Sequence, residues 1–183
     1  MSVYCPQKIL LKCNKEIIIR HLDLDDAASY ICFSDQISKE TTHTLHYSGQ
    51  ILDVNFLKEK WKEAKNALWQ LELGGFDKNK LISHLSLYKP RPHHPYEKHT
   101  AEFGIKILKD FCSSGLGSYK LHIMENVAKE MDVKRIQARV RTSNYIGISF
   151  YQKHGYEIEG VKKSAVFING NYENEFYISK ILD

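Results

Sequence analysis

The sequence predicts a single α/β domain in which helices flank a mixed β-sheet. Its 183 residues are enough for one domain core, and 43% hydrophobic with 26% charged residues is an ordinary globular composition. Strand-like and helix-like patterns follow one another in the order β-α-α-β-β-β-α-β-α-β-β, which is typical of this class. The one cluster of breaker residues, Pro90 to Pro95, separates parts 1–98 and 99–183 that are each too small for a good core. We therefore interpret the cluster as a loop inside one domain, residues 1–183.

The first part of the chain predicts one strand followed by two helices. Glu16 to Arg20 is a short β-branched run, which favours a strand. Asp23 to Phe33 begins with acidic residues, which stabilise the N-terminus of a helix, and continues with small and apolar ones. Asp53 is placed to cap a second helix, in which apolar residues recur at helical spacing. These residues are Phe56, Leu57, Trp61 and Ala64, and we expect Trp61 to lie in the core or to line a groove.

A hairpin and a further strand lie on either side of the proline-rich loop. Ala67 to Leu73 and Lys80 to Tyr88 flank a segment with glycine and asparagine, residues 74–79, so we expect a β-hairpin with its turn there. After the loop, Phe103 to Leu108 has the pattern of a strand. The remaining segments alternate between helical and strand periodicity: helix 115–131, strand 135–140, helix 144–153, and a strand pair, 157–168 and 172–178.

The net charge of +4 does not indicate a nucleic-acid partner. Residues 1–98 contain 14 Lys and Arg against 12 Asp and Glu, and residues 99–183 contain 12 against 10. The excess of +2 on each part forms no basic arm or stripe. We therefore expect no dedicated DNA or RNA binding.

The sequence also argues against membrane, disulfide and metal functions. No apolar run approaches the roughly 18 to 20 residues of a membrane-spanning helix, and the N-terminus lacks a secretory-signal pattern. The four cysteines have no CxxC spacing, which disfavours a disulfide framework or a zinc site. The pair His93 and His94, with His99 nearby, does not complete a ligand spacing either. We expect a reduced, cytoplasmic protein without metal or membrane partner.

The clearest functional signal is a strand that runs through a small-residue turn into a helix. The turn reads Cys-Ser-Ser-Gly-Leu-Gly-Ser over residues 112–118. The first N–H groups of a helix have no intrahelical partner, and together with the helix dipole they bind phosphate. A P-loop is disfavoured because Ser118, not Lys, follows Gly117, and a dinucleotide fingerprint because Lys120 occupies the position of its third glycine. Tight packing is the alternative explanation of the glycines.

A second pattern, which starts at Asn144, identifies a family. It reads Asn-Tyr-Ile-Gly-Ile-Ser-Phe-Tyr-Gln-Lys-His-Gly-Tyr. Together with the turn, it resembles the GNAT family of N-acetyltransferases, whose cofactor half pairs Q/R-x-x-G-x-G/A with N-x-x-A-I-x-L-Y-x-K-x-G-F. The resemblance covers about His99 to Lys180 and departs from the family pattern at Cys112, where Gln or Arg is usual. Residues 159–160 and 167–172 resemble the branch that contains spermidine and ribosomal-protein acetyltransferases.

The resemblance implies acetyl-CoA as cosubstrate, bound by residues 99–183, and a role for each part of the motifs. The turn would hold the pyrophosphate, and the strand backbone would pair with pantetheine, with an N–H near Ile107 polarising the thioester carbonyl. Asn144 would hold the pantetheine arm, and Tyr151 would protonate the departing thiolate. Without the motif, Tyr151 would be a packing aromatic and Asn144 a helix cap. The implied cofactor-binding residues are Ile105, Lys106, Ile107, Cys112, Ser113, Ser114, Gly115, Leu116, Gly117, Ser118, Asn144, Tyr151 and Lys153.

The acceptor side of the reaction is less defined by the sequence. An alkyl amine has a pKa of about 10 and has to lose a proton before it attacks. Glu102 or His99, just before the cofactor strand, is the candidate base, acting directly or through water. Glu173 and Glu175 offer recognition of a cationic substrate, although strand alternation favours exposure to solvent for both. Residues 1–98 should shape the acceptor site but carry no matching motif, so a polyamine, a protein N-terminus and an antibiotic amine stay open.

These observations predict an N-acetyltransferase. The acetyl group would pass directly from acetyl-CoA to a primary amine of a small molecule or a protein N-terminus, in a ternary complex without a covalent enzyme intermediate. The alternative is a non-catalytic acyl-CoA-binding sensor that keeps the cofactor half and lacks the base. The oligomeric state, a homo-oligomer included, stays open.

Overall fold

The computed structural model describes residues 4–67 and 69–183, apart from the side chains of residues 65 and 66. In this part of the chain, eight strands and four α-helices are present. They are β1 Gln7–Leu10, β2 Glu16–His21, α1 Ala27–Glu40, α2 Val54–Asn66, β3 Gln70–Asp77, β4 Lys80–Tyr88, β5 Thr100–Ile107, α3 Leu116–Glu130, β6 Arg135–Arg141, α4 Tyr145–Lys153, β7 Glu157–Ile168 and β8 Asn171–Ile181.

The strands form one mixed sheet in the order β1-β2-β3-β4-β5-β6-β8-β7. All neighbouring pairs are antiparallel except β5 and β6, which are parallel. The pairing of β4 with β5 carries the sheet across the proline-rich loop, from Tyr88 opposite Glu102 to Ser83 opposite Ile107. The predicted class, a single α/β domain with a mixed sheet flanked by helices, is confirmed.

Side-chain alternation on β4 shows which helices cover each face of the sheet. His84 contacts the Tyr30 ring of α1, with 5.1 Å between ring centroids. Its neighbour Ser83 lies on the same side of β3 as Lys120 of α3, because a Cβ on Gly75 would contact both side chains. Because successive strand residues point to opposite faces, α1 and α3 cover opposite faces. Helix α2 packs on α1 and β3, and Phe150 of α4 contacts the start of α3. The sheet therefore lies between an α1–α2 layer and an α3–α4 layer.

Apolar side chains fill both layers. Leu85 and Leu87 of β4 are 0% and 1% exposed on the side of α3, where Leu121 and Met124 are equally buried. On the other side, Trp61 of α2 is 2% exposed, which confirms it as a core residue.

Strands β5 and β6 remain paired over only three positions. The pairs are Thr100 with Arg135, Ala101 with Ile136, and Glu102 with Gln137. Beyond these pairs, β5 stays paired with β4 as far as Ile107, and β6 stays paired with β8 as far as Arg141. A gap therefore opens in the middle of the sheet, with one free strand edge on each side.

The predicted β-hairpin is present, but its turn is shorter than predicted. Strand β3 extends through Asp77, so the loop consists of Lys78 and Asn79 alone and not of residues 74–79, and Lys78 has φ 54°. Gly74 lies inside the strand, where a Cβ would come within 2.5 Å of the Phe76 ring. The glycines thus allow close packing and not a turn. Of the predicted strand 67–73, residue 68 lies outside the described residues.

Two further elements differ from the prediction. Strand β1 is missing from the predicted order because its four residues are mostly exposed and only Ile9 is part-buried. Helix α1 continues seven residues past Phe33, to Glu40, with Ile37 extending its buried side. Among the described residues, no helix is long and apolar enough to cross a membrane.

One buried charge-bearing group lies in the α3 layer. Lys120 is 0% exposed, and its Nζ donates a hydrogen bond of 3.0 Å to the carbonyl of Leu73. Burial holds the pKa of Lys120 well below its ordinary value of 10.5.

We expect Lys120→Met to raise the free energy of unfolding at pH 7 by about 1 kcal/mol or more, because Met fills the space without a buried amine. At pH values between the lowered pKa and 10.5, the unfolded chain binds more protons than the folded chain, so the stability of the wild type rises with pH. The advantage of Lys120→Met in the free energy of unfolding therefore becomes smaller at higher pH. Denaturant unfolding at pH 7 and pH 10 measures both effects. Lys129→Met, on the exposed side of the same helix, is the control. A loss of stability at pH 7 would contradict the expectation.

Candidate active site

A cavity of about 770 Å³ opens at the gap between β5 and β6. Residues from both free edges line it, including Gly104 and Lys106 on β5 and Ala138 and Arg141 on β6. Its other wall consists of α1, α2 and the segment between them. The cavity therefore lies on the α1–α2 side of the sheet and reaches through the gap towards α4.

Tyr151 of α4 lines this cavity from the opposite layer. Its ring makes edge contacts with Phe103 and Phe150, at centroid distances of 5.7 and 5.4 Å. No hydrogen bond joins its hydroxyl to another residue in the described part of the chain. Burial raises the pKa of Tyr151 above its ordinary value of 10, so the hydroxyl keeps its proton at neutral pH. The side chain is thus held by packing, with a proton available to a bound molecule.

Asn144 lines the same end of the cavity and caps α4. Its Oδ1 accepts a hydrogen bond of 3.0 Å from the N–H of Gly147. A Cβ at Gly147, where the family pattern has Ala, would lie 2.6 Å from the Asn144 Nδ2. The glycine therefore makes room for the capping conformation, and the amide Nδ2 stays available as a donor.

The turn before α3 has the features of an anion cradle. Gly115 is the N-cap residue of α3 and has φ +93°, a left-handed conformation that favours glycine. No side chain caps this helix. Gly117 has a different role, since a Cβ there would lie 3.1 Å from Phe150 Cζ. One glycine shapes the backbone and the other allows α3 to approach α4.

Lys12 is a cradle neighbour that the sequence does not reveal. Its N–H donates a hydrogen bond of 3.1 Å to the carbonyl of Ser114, and its Cε lies 3.9 Å from the position of a Cβ on Gly115. This lysine comes from the β1–β2 turn, about a hundred residues earlier in the chain. It adds a cation beside the unpaired N–H groups.

Two other predicted cofactor residues are less central. The Cys112 thiol points back to the carbonyls of Leu108 and Ile107, at 3.6 and 3.8 Å, and burial raises its pKa, so it adds no negative charge at the cradle. Lys153 lies exposed in the last turn of α4, outside the residues that line the cavity.

Glu102 of β5 lies in the cavity wall at the closed end of the gap. It accepts hydrogen bonds from the Tyr88 hydroxyl at 2.7 Å and from Gln137 Nε2 at 3.2 Å. Burial and the Glu102 carboxylate raise the pKa of Tyr88 to about 12, so Tyr88 remains a donor. The alternative base, His99, is exposed and does not line the cavity. The geometry favours Glu102.

A buried polar cluster beneath α1 and α2 was not expected from the sequence. His84 Nε2 lies 2.6 Å from Glu72 Oε2, and Lys60 Nζ lies 2.8 Å from Glu72 Oε1. Burial lowers the pKa of His84 to about 4, while His84 and Lys60, against the effect of burial, hold the pKa of Glu72 below its ordinary value. Neutral His84 thus donates Nε2–H to the carboxylate, and its Nδ1 has no partner among the described residues.

The expectation that Glu175 faces solvent is wrong. Glu175 is 6% exposed and lines the cavity, and its Oε2 lies 3.4 Å from Arg139 Nη1. Glu173 is part-buried, with its Oε2 3.9 Å from Arg141 Nη1. Both carboxylates lie on the face of β8 that continues the cavity wall, which strand alternation alone does not reveal.

The described residues contain no group of three His, Cys, Asp or Glu side chains placed to hold a metal ion. All four cysteines are free thiols. His93 instead packs edge-on against Trp69, with 5.0 Å between ring centroids.

Comparisons with known proteins agree on one family. The family model of the acetyltransferase (GNAT) domain matches residues 19–176. A curated relative, the L-amino acid N-acetyltransferase AaaT of Escherichia coli (strain K12), is 31% identical over 88 residues. That match covers 48% of this chain and 54% of the relative, so the chain spans about half the length of the relative that it matches.

Solved structures share the fold. The GNAT-family acetyltransferase of Streptococcus pneumoniae has a TM-score of 0.84 at 24% identity, over 91% of this chain and 99% of that chain. An acetyltransferase from Salmonella typhimurium, solved with its cofactor acetyl-CoA, has a TM-score of 0.78 at 15% identity, over 91% and 94%. At these identities the likeness concerns the fold.

The buried histidine gives a prediction for stability at acidic pH. The pKa of His84 is about 4 in the folded chain and 6.5 ordinarily, so the unfolded chain binds the extra proton between these values. Stability therefore falls as pH decreases from about 6.5 to 4. We expect His84→Gln, whose amide still donates to Glu72, to reduce this slope, as measured by urea unfolding at several pH values. The exposed His122→Gln should leave the slope unchanged, and an unchanged slope in His84→Gln would contradict the assignment.

Proposed function

This chain belongs to the GNAT acetyltransferase family, and on that premise we propose that it is an acetyl-CoA-dependent N-acetyltransferase acting on a primary amine. The observation that carries the proposal is the gap between β5 and β6. It brings a proton donor, Tyr151, and a carboxylate without a cationic partner, Glu102, into one cavity from the two sides of the sheet. The assignment to the branch with spermidine and ribosomal-protein acetyltransferases stays a prediction.

The residues beside the gap fit acetyl-CoA. The unpaired N–H groups from Ser113 to Ser118, with the positive end of α3 and the nearby Lys12, suit a pyrophosphate. The edge of β5 from Gly104 to Ile107 has no partner on the β6 side and suits the amides of pantetheine. Asn144 Nδ2 is a further donor at the same end of the cavity.

The proposed reaction is a direct transfer. Glu102 takes a proton from the acceptor ammonium, directly or through water. The amine nitrogen then forms a bond to the thioester carbonyl carbon, and the bond from that carbon to sulfur breaks with its electron pair on sulfur. The acylated nitrogen, which still carries two hydrogens, releases one proton to solvent, and Tyr151 protonates the thiolate. Solvent then returns a proton to Tyr151 and removes one from Glu102. The products are the N-acetyl amine and CoA, and no covalent enzyme intermediate forms.

The position of Glu102 supports its role as base. Its carboxylate is oriented by two neutral donors and has no Lys or Arg within 4 Å among the described residues. Among the described residues, no cation therefore competes with the acceptor ammonium for this carboxylate. The non-catalytic alternative needs a chain without such a base.

Tyr151→Phe tests the acid. The ring contacts with Phe103 and Phe150 persist in the variant, so we expect the affinity for acetyl-CoA to change less than about threefold. Loss of a general acid lowers turnover by roughly 100-fold or more. Release of CoA thiol at saturating amine measures turnover, and calorimetry measures binding. Wild-type turnover in the variant would reject Tyr151 as the acid.

Gly117→Glu tests the cradle. The variant places a carboxylate next to the proposed pyrophosphate and a Cβ 3.1 Å from Phe150 Cζ, so we expect at least about 100-fold weaker acetyl-CoA binding by calorimetry. Gly117→Ala introduces the same Cβ without the charge and separates the steric contribution. Native affinity of a folded Gly117→Glu variant would exclude this turn as the pyrophosphate site.

A further inference from the structure

Three polar side chains form a row across the open end of the gap. His84 of β4 is directly opposite Lys106 of β5. The parallel register that pairs Glu102 with Gln137 places Lys106 and Arg141 level with each other, four residues further along each strand. All three side chains of the row line the cavity. Lys106 and Arg141 therefore face the same space from the two sides of the gap.

Lys106 is a cation with no carboxylate within 4 Å among the described residues, although the Glu72 carboxylate acts on it from further away. Of the Lys and Arg residues that line the cavity, Lys60, Arg135, Arg139 and Arg141 each have a carboxylate within 4 Å. Lys106 has neither an ion pair nor a hydrogen bond among the described residues, and its Nζ lies 5.9 Å from the centroid of the Tyr30 ring. Burial lowers the pKa of Lys106 to about 8, so most of this side chain is still charged at pH 7. An enclosed positive charge of this kind favours an anionic ligand.

Arg141 adds an unsatisfied donor beside it. The residue is 6% exposed, and its Nη2 donates a hydrogen bond of 3.1 Å to the carbonyl of Thr44. Its Nη1 has no hydrogen bond among the described residues, and the carboxylate oxygen of Glu173 lies 3.9 Å from it. A buried donor without a partner costs free energy, which a ligand acceptor would recover.

We propose that the acceptor amine also carries a carboxylate, as an amino acid does, and that Lys106 and Arg141 bind this carboxylate. The inference rests on the proposed N-acetyltransferase function. One carboxylate would neutralise Lys106 and supply the missing acceptor for Arg141, whose planar guanidinium matches carboxylate geometry. The Lys106 side chain thus faces the acceptor, whereas the backbone of the same strand borders the proposed path of pantetheine.

The charges of the cavity disfavour the other acceptor classes. Two lining carboxylates lack a cationic partner, and both already accept hydrogen bonds. Asp53 caps α2, and Glu102 binds Tyr88 and Gln137. A polyamine would add positive charges next to Lys106 without an acid to receive them. A protein N-terminus continues as a neutral amide where the carboxylate would lie and leaves Lys106 unpaired.

The first experiment compares acceptors with wild-type protein. Thiol release is measured with the standard L-amino acids that carry a primary amine and no thiol, with the carboxamides of those that react, with spermidine and with a tripeptide amide. We expect kcat/KM for a reactive amino acid to exceed that for its carboxamide at least about 10-fold. The amine of a carboxamide is less basic and more often unprotonated, so amine reactivity alone would favour the carboxamide.

The second experiment assigns the preference to residues. Lys106→Met and, separately, Arg141→Gln should each lower the ratio of kcat/KM for acid over carboxamide at least about 10-fold, mainly through KM for the acid. The ratio cancels any effect that a variant has on acetyl-CoA. Lys58→Met, exposed on α2, is the control and should keep the wild-type ratio.

Each outcome decides one of the two proposals. The carboxylate site would be overturned if the protein used carboxamides, spermidine or the tripeptide amide as well as the amino acids. It would also be overturned if both variants kept the wild-type ratio of kcat/KM for acid over carboxamide. Either result would leave the N-acetyltransferase function intact. Thiol release with none of these amines would count against the function itself. Calorimetry of the amino acids with the CoA-bound protein would then decide the carboxylate site. Binding that Lys106→Met weakens supports it, and an absence of binding overturns it.

Discussion

The functional features of this molecule depend on the end of pairing between β5 and β6 after Glu102 and Gln137. Each strand can leave the other because it stays bonded to its second neighbour, β4 or β8. The consequence is a free edge of backbone N–H and C=O groups in the middle of the sheet, and such groups need partners. The gap therefore provides space for a ligand, and a ligand with hydrogen-bonding groups of its own would pair with the free strand edges.

In the proposed reaction, strand alternation would let β5 contact both substrates. The free backbone edge lies in the plane of the sheet, next to the cradle at the start of α3 and the hydroxyl of Tyr151. Side chains of Glu102 and Lys106 project from the same strand into the cavity beneath α1 and α2. A cosubstrate along the edge and an acceptor on that face would meet at the gap. A ternary complex is thus compatible with this geometry, because neither molecule has to leave before the other binds.

The parts of the candidate site that are local in the chain can be predicted from the sequence. Asn144, Tyr151 and the turn from Ser113 to Ser118 each follow from one short segment, since a helix start and a helix face depend on neighbouring residues. Glu72 and His84 belong to different strands, and their contact depends on strand register, so no local pattern reveals it. Their one visible signal is a charged or polar residue inside an otherwise apolar strand.

The difference between local and long-range contacts also explains the incorrect predictions. Gly74 is predicted to lie in a turn because glycine is common in turns, yet a Cβ there would also lie 2.8 Å from Leu22 Cδ2, far earlier in the chain. Glu175 was assigned to solvent because alternation predicts two faces but not which face is covered. Lys12 reaches the cradle only because the β1–β2 turn packs against Ser114. Each error concerns a neighbour that is distant in the chain.

Local charge balance is more informative about ligands than the net charge. The +4 of the chain is distributed over an exposed surface, where water and salt screen it. In the cavity, the carboxylates of Glu72, Glu159, Glu173 and Glu175 lie within 4 Å of four of the five lining cations. Lys106 alone among these cations has no ion pair, in surroundings where Coulomb interactions are several times stronger than in water. The start of α3 adds positive potential from backbone N–H groups, which no count of Lys and Arg includes. In the proposed function, the binding of anionic groups would thus depend on Lys106 and Arg141 in the cavity and on the start of α3, and not on the net charge of the surface.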